Sequence, residues 1–321
     1  MLKILYAASA SESAWLQLDR FSRAIVGRPI QLKVAAYQKS SPANMNIDWT
    51  LDSLQDIFKP DLILPNNDNF NIYLDQVKHF KPDLIISDLE YYTSEVAISL
   101  GINLWQVSSS LINYALPTDY KYNLGIFKKY AFLLSRVPTY HQRLTNIQVN
   151  ANYNFIYSHF GDCANPPPIK DNYQWIRPYH LLGKPYKPCQ HNVVSAMLGS
   201  HKPMISALQN YDDVVCFTDS LHESFDQIKL KNLSNQEEYY CNIKNSDIFF
   251  CSGQSSFLAD AFYNGKFSVV IEPSKEDFAT CAISEKLKLS GENLLNYQEI
   301  TPSLNPGIRF LHEKLYEFYF A

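Results

Sequence analysis

Apolar runs of strand length alternate with helix-length stretches along both halves of this chain, and a proline-rich segment separates the two series. In the first half, Leu2 to Ala7 reads as a strand, Ser13 to about Val26 as a helix, and Ile30 to Ala36 and Asp61 to Leu64 as strands. A helix near Ile72 to Phe80, a strand Asp83 to Ser87, a helix Tyr92 to Leu100 and a strand Asn103 to Val107 follow. This alternation predicts a parallel, doubly wound α/β sheet. Lys59-Pro60-Asp61-Leu62-Ile63-Leu64 and Lys81-Pro82-Asp83-Leu84-Ile85-Ile86 are near copies, each with a proline closing a helix ahead of an apolar strand. They punctuate the chain and do not form a repeat architecture.

Tyr114 to Asn150 is less regular and reads as two helices carrying Tyr120, Tyr122, Phe127, Tyr130 and Phe132. Between His159 and His191 periodicity stops and prolines gather, at Pro166-Pro167-Pro168, Pro178, Pro185 and Pro188. Alternation then restarts with Asn192 to Met197, Asp213 to Phe217, Gln227 to Leu230, a helix near Gln236 to Lys244, and the run from Ser246 onward. The expected layout is a Rossmann-like domain over 1–160, a linker over 161–190, and a second such domain over 191–300 facing the first. A terminal helix over 301–321 packs back on the body and braces the two, its Phe310, Leu311, Leu315, Phe318 and Tyr319 following a helical period.

With 321 residues, 46% hydrophobic and 19% charged, the chain is long enough for two cores. Its net charge of −4 gives no general basic field for nucleic acid. A local track of Lys121, Lys128, Lys129, Arg136 and Arg143 is nevertheless suited to a phosphate backbone, which keeps DNA as a partner. Six cysteines are scattered with no C-x-x-C pair, as expected in a reducing cytoplasm. The opening MLKILYAASASES mimics a short signal peptide, but its apolar run is below the usual length and reads as a first buried strand. No run approaches the ~20 apolar residues of a membrane span.

The segment Ser246 to Ile283 concentrates the chemistry. Ile248 to Cys251 has the length of a buried strand, Ser252-Gly253-Gln254-Ser255-Ser256 a turn of small residues, and Phe257 to Tyr263 an apolar-patterned helix. Free N–H groups and the dipole at that helix start suit a diphosphate, although Ser255 could equally serve as a plain N-cap. Asp260 lies one turn further on the face of Ser256, where it could hold ribose hydroxyls or be a solvated helix acid. A strand Phe267 to Ile271 then delivers Glu276 and Asp277, placed either to meet a sugar or to begin a helix capped by Ser274.

These residues resemble the GT-B glycosyltransferases, in the branch related to UDP-glycosyltransferases and MurG-like enzymes. Where that family carries a Gly-Gly turn, a Glu-Ala pair, Gly-x-Pro and an acid-Gln-x-x-Asn-Ala loop, this chain has Ser252-Gly253-Gln254, Asp260-Ala261, Gly265-Lys266-Phe267 and Glu276-Asp277-Phe278-Ala279-Thr280-Cys281-Ala282. Pro82 to Glu90, followed by Ala97 and Leu100-Gly101-Ile102, is similar to the family's strand ending in an acidic loop. The Gly-x-Gly-His turn after the first strand is replaced by Ser11-Glu12-Ser13-Ala14-Trp15. Ser200 matches a small hydroxyl residue that contacts phosphate in the family.

The resemblance implies a nucleotide-sugar donor, with UDP-sugar the first expectation, and inverting transfer to an acceptor hydroxyl without a metal ion. The donor-binding residues are then Ser200, Gly253, Gln254, Ser255, Ser256, Asp260, Glu276 and Asp277. A catalytic base must face the cleft; Asp88, Glu12 and Glu90 follow strands at the ligand-facing edge of such sheets, each could instead cap a helix, and a base elsewhere stays open. His201 could steady the leaving diphosphate or be an ordinary surface residue, and the other histidines show no metal-ligand spacing. The acceptor stays open between a small molecule, a glycan and a hydroxymethylated DNA base. A nucleotide-sugar epimerase of the same architecture and a catalytically silent binding protein are the rival readings. No G-x-G-x-x-G follows the first strand, which disfavours an oxidoreductase.

Overall fold

The computed structural model describes residues 1–9, 12–38, 46–52, 54, 68–126, 138–163, 165–176, 193–197, 202–218, 228–233, 235–264, 266, 268–271, 278–290, 311 and 313–318. The chain divides into two compact units, Met1–Ile156 with Pro168–Gln174, and Tyr157–Pro167 with Trp175–Ala321. Each is built on its own sheet with parallel strand pairing, as the alternation of elements predicts.

The first sheet comprises β1 (Leu2–Ala8), β2 (Ile30–Ala36), β3 (Trp49–Thr50), β4 (Leu84–Asp88), β5 (Asn103–Val107), β6 (Tyr153–Tyr157) and β7 (Gln174–Ile176). Their order across the sheet is β3-β2-β1-β4-β5-β6-β7. Helices α1 (Glu12–Ala24), α2 (Asp68–Phe80) and α3 (Tyr91–Leu100) connect the early strands. Short helices α4 (Ile112–Ala115) and α5 (Thr118–Asn123) follow β5, and α6 (Pro138–Asn150) precedes β6. β1 is apolar at nearly every position because both of its faces are covered. Leu5 and Ala7 join Ala35, Tyr73, Val77, Phe80, Val96 and Ala97 in one core. On β1, Tyr6 meets Phe21 of α1 with ring centroids 5.1 Å apart. Burying side chains of this size contributes about 1.5–3 kcal/mol each, and a one-residue slip of register would exchange the two faces.

The second Lys-Pro-Asp copy shows how that punctuation works. Lys81 takes φ 54°, which ends α2, and Pro82 cannot continue a helix. Asp83 then accepts the backbone N–H of Lys3 at 2.8 Å and gives its own N–H to the Lys3 carbonyl at 2.9 Å. This reciprocal pair sets β4 beside β1 in register. The first copy, including the expected strand Asp61 to Leu64, lies outside the described residues.

Strands β6 and β7 are not anticipated by the sequence reading, and β7 falls within the proline-rich stretch. Asn154, the second residue of β6, lowers strand propensity. Tertiary structure compensates, because its amide donates to the Gln148 carbonyl at 2.7 Å and the Asn172 carbonyl at 3.1 Å.

The second sheet has the order β10-β9-β8-β11-β12, from β8 (Val193–Ala196), β9 (Val214–Thr218), β10 (Ile228–Asn232), β11 (Ile248–Cys251) and β12 (Ser268–Val270). Met204, Ile205 and Leu208 of α7 (Lys202–Leu208) pack on Val193, Val214, Cys216 and Phe250. Another cluster joins Phe217, Phe249 and Tyr239 of α8 (Gln236–Asn245) to Phe257 of α9 (Ser255–Tyr263), with ring centroids 5.2 to 6.5 Å apart. Helix α10 spans Phe278–Ser290, so the stretch read as an acidic loop is already helical from Phe278. Near the C-terminus, Leu311 and Leu315 are buried, in keeping with an amphipathic helix.

Candidate functional site

Each sheet has one place where neighbouring strands send their connections in opposite directions. In the first it lies between β1 and β4, and in the second between β8 and β11. Divergent connections open a crevice at the C-terminal edge of such a pair, where open α/β sheets bind ligands. Ala8 pairs with Asp88 at one of these edges, and Ala196 pairs with Cys251 at the other. Asp88 and Glu90 belong to the first edge, and Gly253, Gln254, Ser255 and Ser256 to the second.

At the first edge, Asp88 is the last residue of β4, one position later than the strand expected from the sequence, and it is 4% exposed. Leu89 then adopts φ 50°, a left-handed conformation that costs a non-glycine residue about 1–2 kcal/mol. Glu90 is the N-cap of α3 and is buried. Its Oε1 accepts the Tyr92 N–H at 3.0 Å and the Tyr37 hydroxyl at 3.0 Å, and its Oε2 accepts the Thr93 N–H at 2.7 Å. Of the three acids considered as a base, Glu90 therefore has both oxygens engaged within the domain. Glu12 opens α1 just beyond β1.

Burial pushes the Glu90 carboxyl above its ordinary value of 4.5, against the opposing pull of the Thr93, Tyr92 and Tyr37 hydrogen bonds. Because the folded-state value is raised, the stability that Glu90 contributes is complete below about pH 4.5 and is lost as pH rises through the folded value. Glu90→Gln cannot ionise, so its stability relative to wild type should increase between pH 4.5 and neutrality. Urea midpoints across that range test this, and a constant difference would refute it. The same burial, followed by the Glu90 charge, pushes the Tyr73 hydroxyl well above its ordinary value while Tyr73 bonds Thr93 Oγ1 at 2.7 Å.

At the second edge, β11 runs into Ser252-Gly253-Gln254 and then α9. Gly253 has φ 88°, a conformation open to glycine and strained for a residue with a Cβ. The N-cap is Gln254, not Ser255, and it makes no side-chain capping bond. Ser252 instead donates to Gln254 Oε1 at 2.5 Å, which draws that side chain back to the turn. Cys281 of α10 donates to the Gly253 carbonyl at 3.7 Å and supports the turn from behind.

Asp260 is 0% exposed, not a solvated helix acid. Its Oδ2 accepts the Tyr239 hydroxyl at 3.0 Å and its Oδ1 the Tyr240 hydroxyl at 3.3 Å, so the carboxylate ties α9 to α8. Sequence reasoning missed these tyrosines, although two adjacent aromatics on an otherwise polar helix were a usable signal. The next turn of α9 is held as well, by Tyr263 donating to Asp162 at 2.5 Å and by Phe262 against the His159 ring at 4.8 Å. Ser256, one turn before Asp260 on α9, is buried. Ser200, His201, Glu276 and Asp277, and the side chains of Glu12 and Ser255, lie outside the described residues.

The basic track reads differently in three dimensions. Lys121 is 5% exposed and donates to the Asn113 carbonyl at 2.6 Å, and burial, reinforced by Lys170, pushes its ammonium down to about 8. Arg143 lies 5.8 Å from the Tyr91 ring centre. Lys128, Lys129 and Arg136 lie outside the described residues. Among the described residues, no group of three or more His, Cys, Asp or Glu side chains is placed to hold a metal ion, and no helix is long and apolar enough to cross a membrane.

No protein-family model matches the chain, and no curated protein matches it. Solved structures do. The glycosyltransferase SsfS6 of Streptomyces sp. SF2575, in complex with thymidine diphosphate, is 15% identical, with 98% of this chain and 100% of that one covered at a TM-score of 0.57. The glycosyltransferase SnogD from Streptomyces nogalater is 11% identical over 99% of both chains, at 0.56. A putative UDP-N-acetylglucosamine 2-epimerase from Listeria monocytogenes is 12% identical, covering 96% of this chain and 93% of that one, at 0.51. What this chain shares with them is the two-domain, GT-B-like α/β fold.

Proposed function

We propose that the protein is a glycosyltransferase that moves a sugar from a nucleotide-sugar, with a UDP-sugar the leading donor, to an acceptor hydroxyl with inversion. The observation that carries this reading is the turn Ser252–Gln254 at the strand-order reversal of the second sheet, where a helix of nine residues begins without a side-chain cap. Its first N–H groups are the natural partners of a diphosphate, and their dipole stabilises the negative charge that grows as the sugar leaves. That stabilisation substitutes for a divalent ion in this reading.

Gly253, Gln254, Ser255 and Ser256 are assigned to the diphosphate, Ser200 to phosphate, and Glu276 and Asp277 to sugar hydroxyls. Sequence assigns Asp260 to the ribose. Its burial favours a contribution from beneath, in which it fixes the helix that meets the nucleotide; direct ribose contact would require uncovering the carboxylate. Asp88 is assigned as the base, since Glu90 is committed to α3 and Asp88 lies on the crevice edge of β4.

Incubation with UDP-, dTDP- and GDP-sugars tests the reading. The expected result is slow nucleotide release without acceptor, which acceptor accelerates, with the fastest release from a UDP-sugar. Interconversion of sugars without release would establish the epimerase reading, which the likeness to the Listeria structure motivates. Binding without turnover would make the protein a nucleotide-sugar binder. Acceptor arms should include hydroxylated small molecules, glycans and hydroxymethylated DNA.

A further inference from the structure

The turn that presents Asp88 rests on a buried polar cluster that helix capping does not account for. Ser87 Oγ accepts the Glu90 N–H at 3.0 Å and lies 3.0 Å from the Glu90 carbonyl, so one hydroxyl closes the chain around Asp88 and Leu89. Ser94, on the first turns of α3, places its Oγ 2.6 Å from the same carbonyl and 2.9 Å from Ser87 Oγ. Gln106 on β5 donates its Nε2 to Ser94 Oγ at 2.7 Å. Ser87, Ser94 and Gln106 are fully buried.

Proton counting gives the arrangement a direction. Each serine hydroxyl has one proton, and Ser94 receives the Gln106 amide, so its own proton goes to the Glu90 carbonyl or to Ser87. Order therefore runs from β5 through α3 to the turn. The cluster is costly where it starts, because Gln106 Oε1 is buried with no hydrogen-bond partner among the described residues. A leucine would fill that volume without the penalty. A strained Leu89 at one end and an unsatisfied amide at the other are features that a fold maximising stability alone would remove.

We infer that Gln106 and Ser94 are positioning residues, which act through Ser87 to hold the Leu89 turn and so aim the Asp88 carboxylate at the proton it removes. The inference rests on the assignment of Asp88 as base. A misplacement near 1 Å at such a group costs on the order of a hundredfold in rate, whereas donor binding is made elsewhere.

Gln106→Leu and Ser94→Ala test it. Gln106→Leu conserves volume and removes the unsatisfied oxygen, so its melting temperature should equal or exceed that of wild type. Both variants should lose about tenfold to a hundredfold in kcat with the donor KM unchanged within about twofold. In protein labelled with 13C at aspartate carboxyls, the Asp88 resonance, identified by its absence in Asp88→Asn, should be single in wild type and displaced or broadened in both variants. A stable Gln106→Leu with wild-type kcat and an unmoved Asp88 resonance would overturn the inference. The resonance needs no turnover, so it still decides the matter if wild type proves inactive with every nucleotide-sugar and the functional reading fails.

Discussion

Replacing Asp88 with Asn should cut sugar transfer by about 10²–10⁴-fold while leaving nucleotide affinity within about twofold. The two side chains are nearly isosteric, so the close packing around a residue only 4% exposed survives the change. In the proposed mechanism, what is lost is the capacity to take a proton from the acceptor hydroxyl as the bond to the diphosphate breaks. Single-turnover transfer measured beside calorimetric UDP binding separates the two quantities. Asp88→Asn transferring within a few fold of wild type would remove Asp88 from the mechanism and return attention to Glu12. Glu90→Gln is the natural control, since that carboxylate spends both oxygens on α3 and Tyr37.

Asp260→Ala should produce the largest loss of stability. It removes the buried acceptor of two tyrosine hydroxyls, and hydrogen bonds to charged groups are worth roughly 1.5–3 kcal/mol each. Relief from burying a carboxylate offsets part of this, which leaves a net loss of about 3 kcal/mol, or roughly 6–12 °C in melting temperature. Asp260→Asn keeps one acceptor oxygen and should lose about half as much.

The nucleotide readout distinguishes the two roles open to Asp260. If the residue fixes α9 from beneath, Asp260→Asn weakens UDP and 2′-deoxy-UDP by the same factor. If it touches the ribose, the wild-type preference for UDP over the deoxy analogue disappears in the variant. Equal affinities of wild type and Asp260→Asn for both nucleotides would sink both roles.

Much of the fold was legible in the residues themselves. β2, β5 and β11 coincide with the apolar runs Ile30 to Ala36, Asn103 to Val107 and Ile248 to Cys251. β11, buried at three of four positions, leaves a continuous apolar signal, whereas β2 shows itself by the alternation of Ile30, Leu32 and Val34 with Gln31 and Lys33. Strand β6 shows less plainly in the residues, because Asn154 lowers strand propensity and its amide is satisfied by the Gln148 and Asn172 carbonyls. A helix beginning in the acidic stretch was one of the two readings open from the sequence, and α10 does begin at Phe278, with Cys281 bonded to the Gly253 carbonyl 28 residues earlier.

By itself, the amino-acid sequence determined the alternating α/β architecture, the two sheets and the small-residue turn at Gly253, because these follow from local periodicity and from backbone preferences within a few residues. Which groups surround each acid was decided only by the tertiary structure. Asp88, Glu90 and Asp260 are equivalent as letters in a chain. Folding places one at a crevice edge, gives another to a helix cap and Tyr37, and surrounds the third with two tyrosines. A carboxylate's role is set by the donors packed around it, and those donors come from elements that only the folded chain brings together.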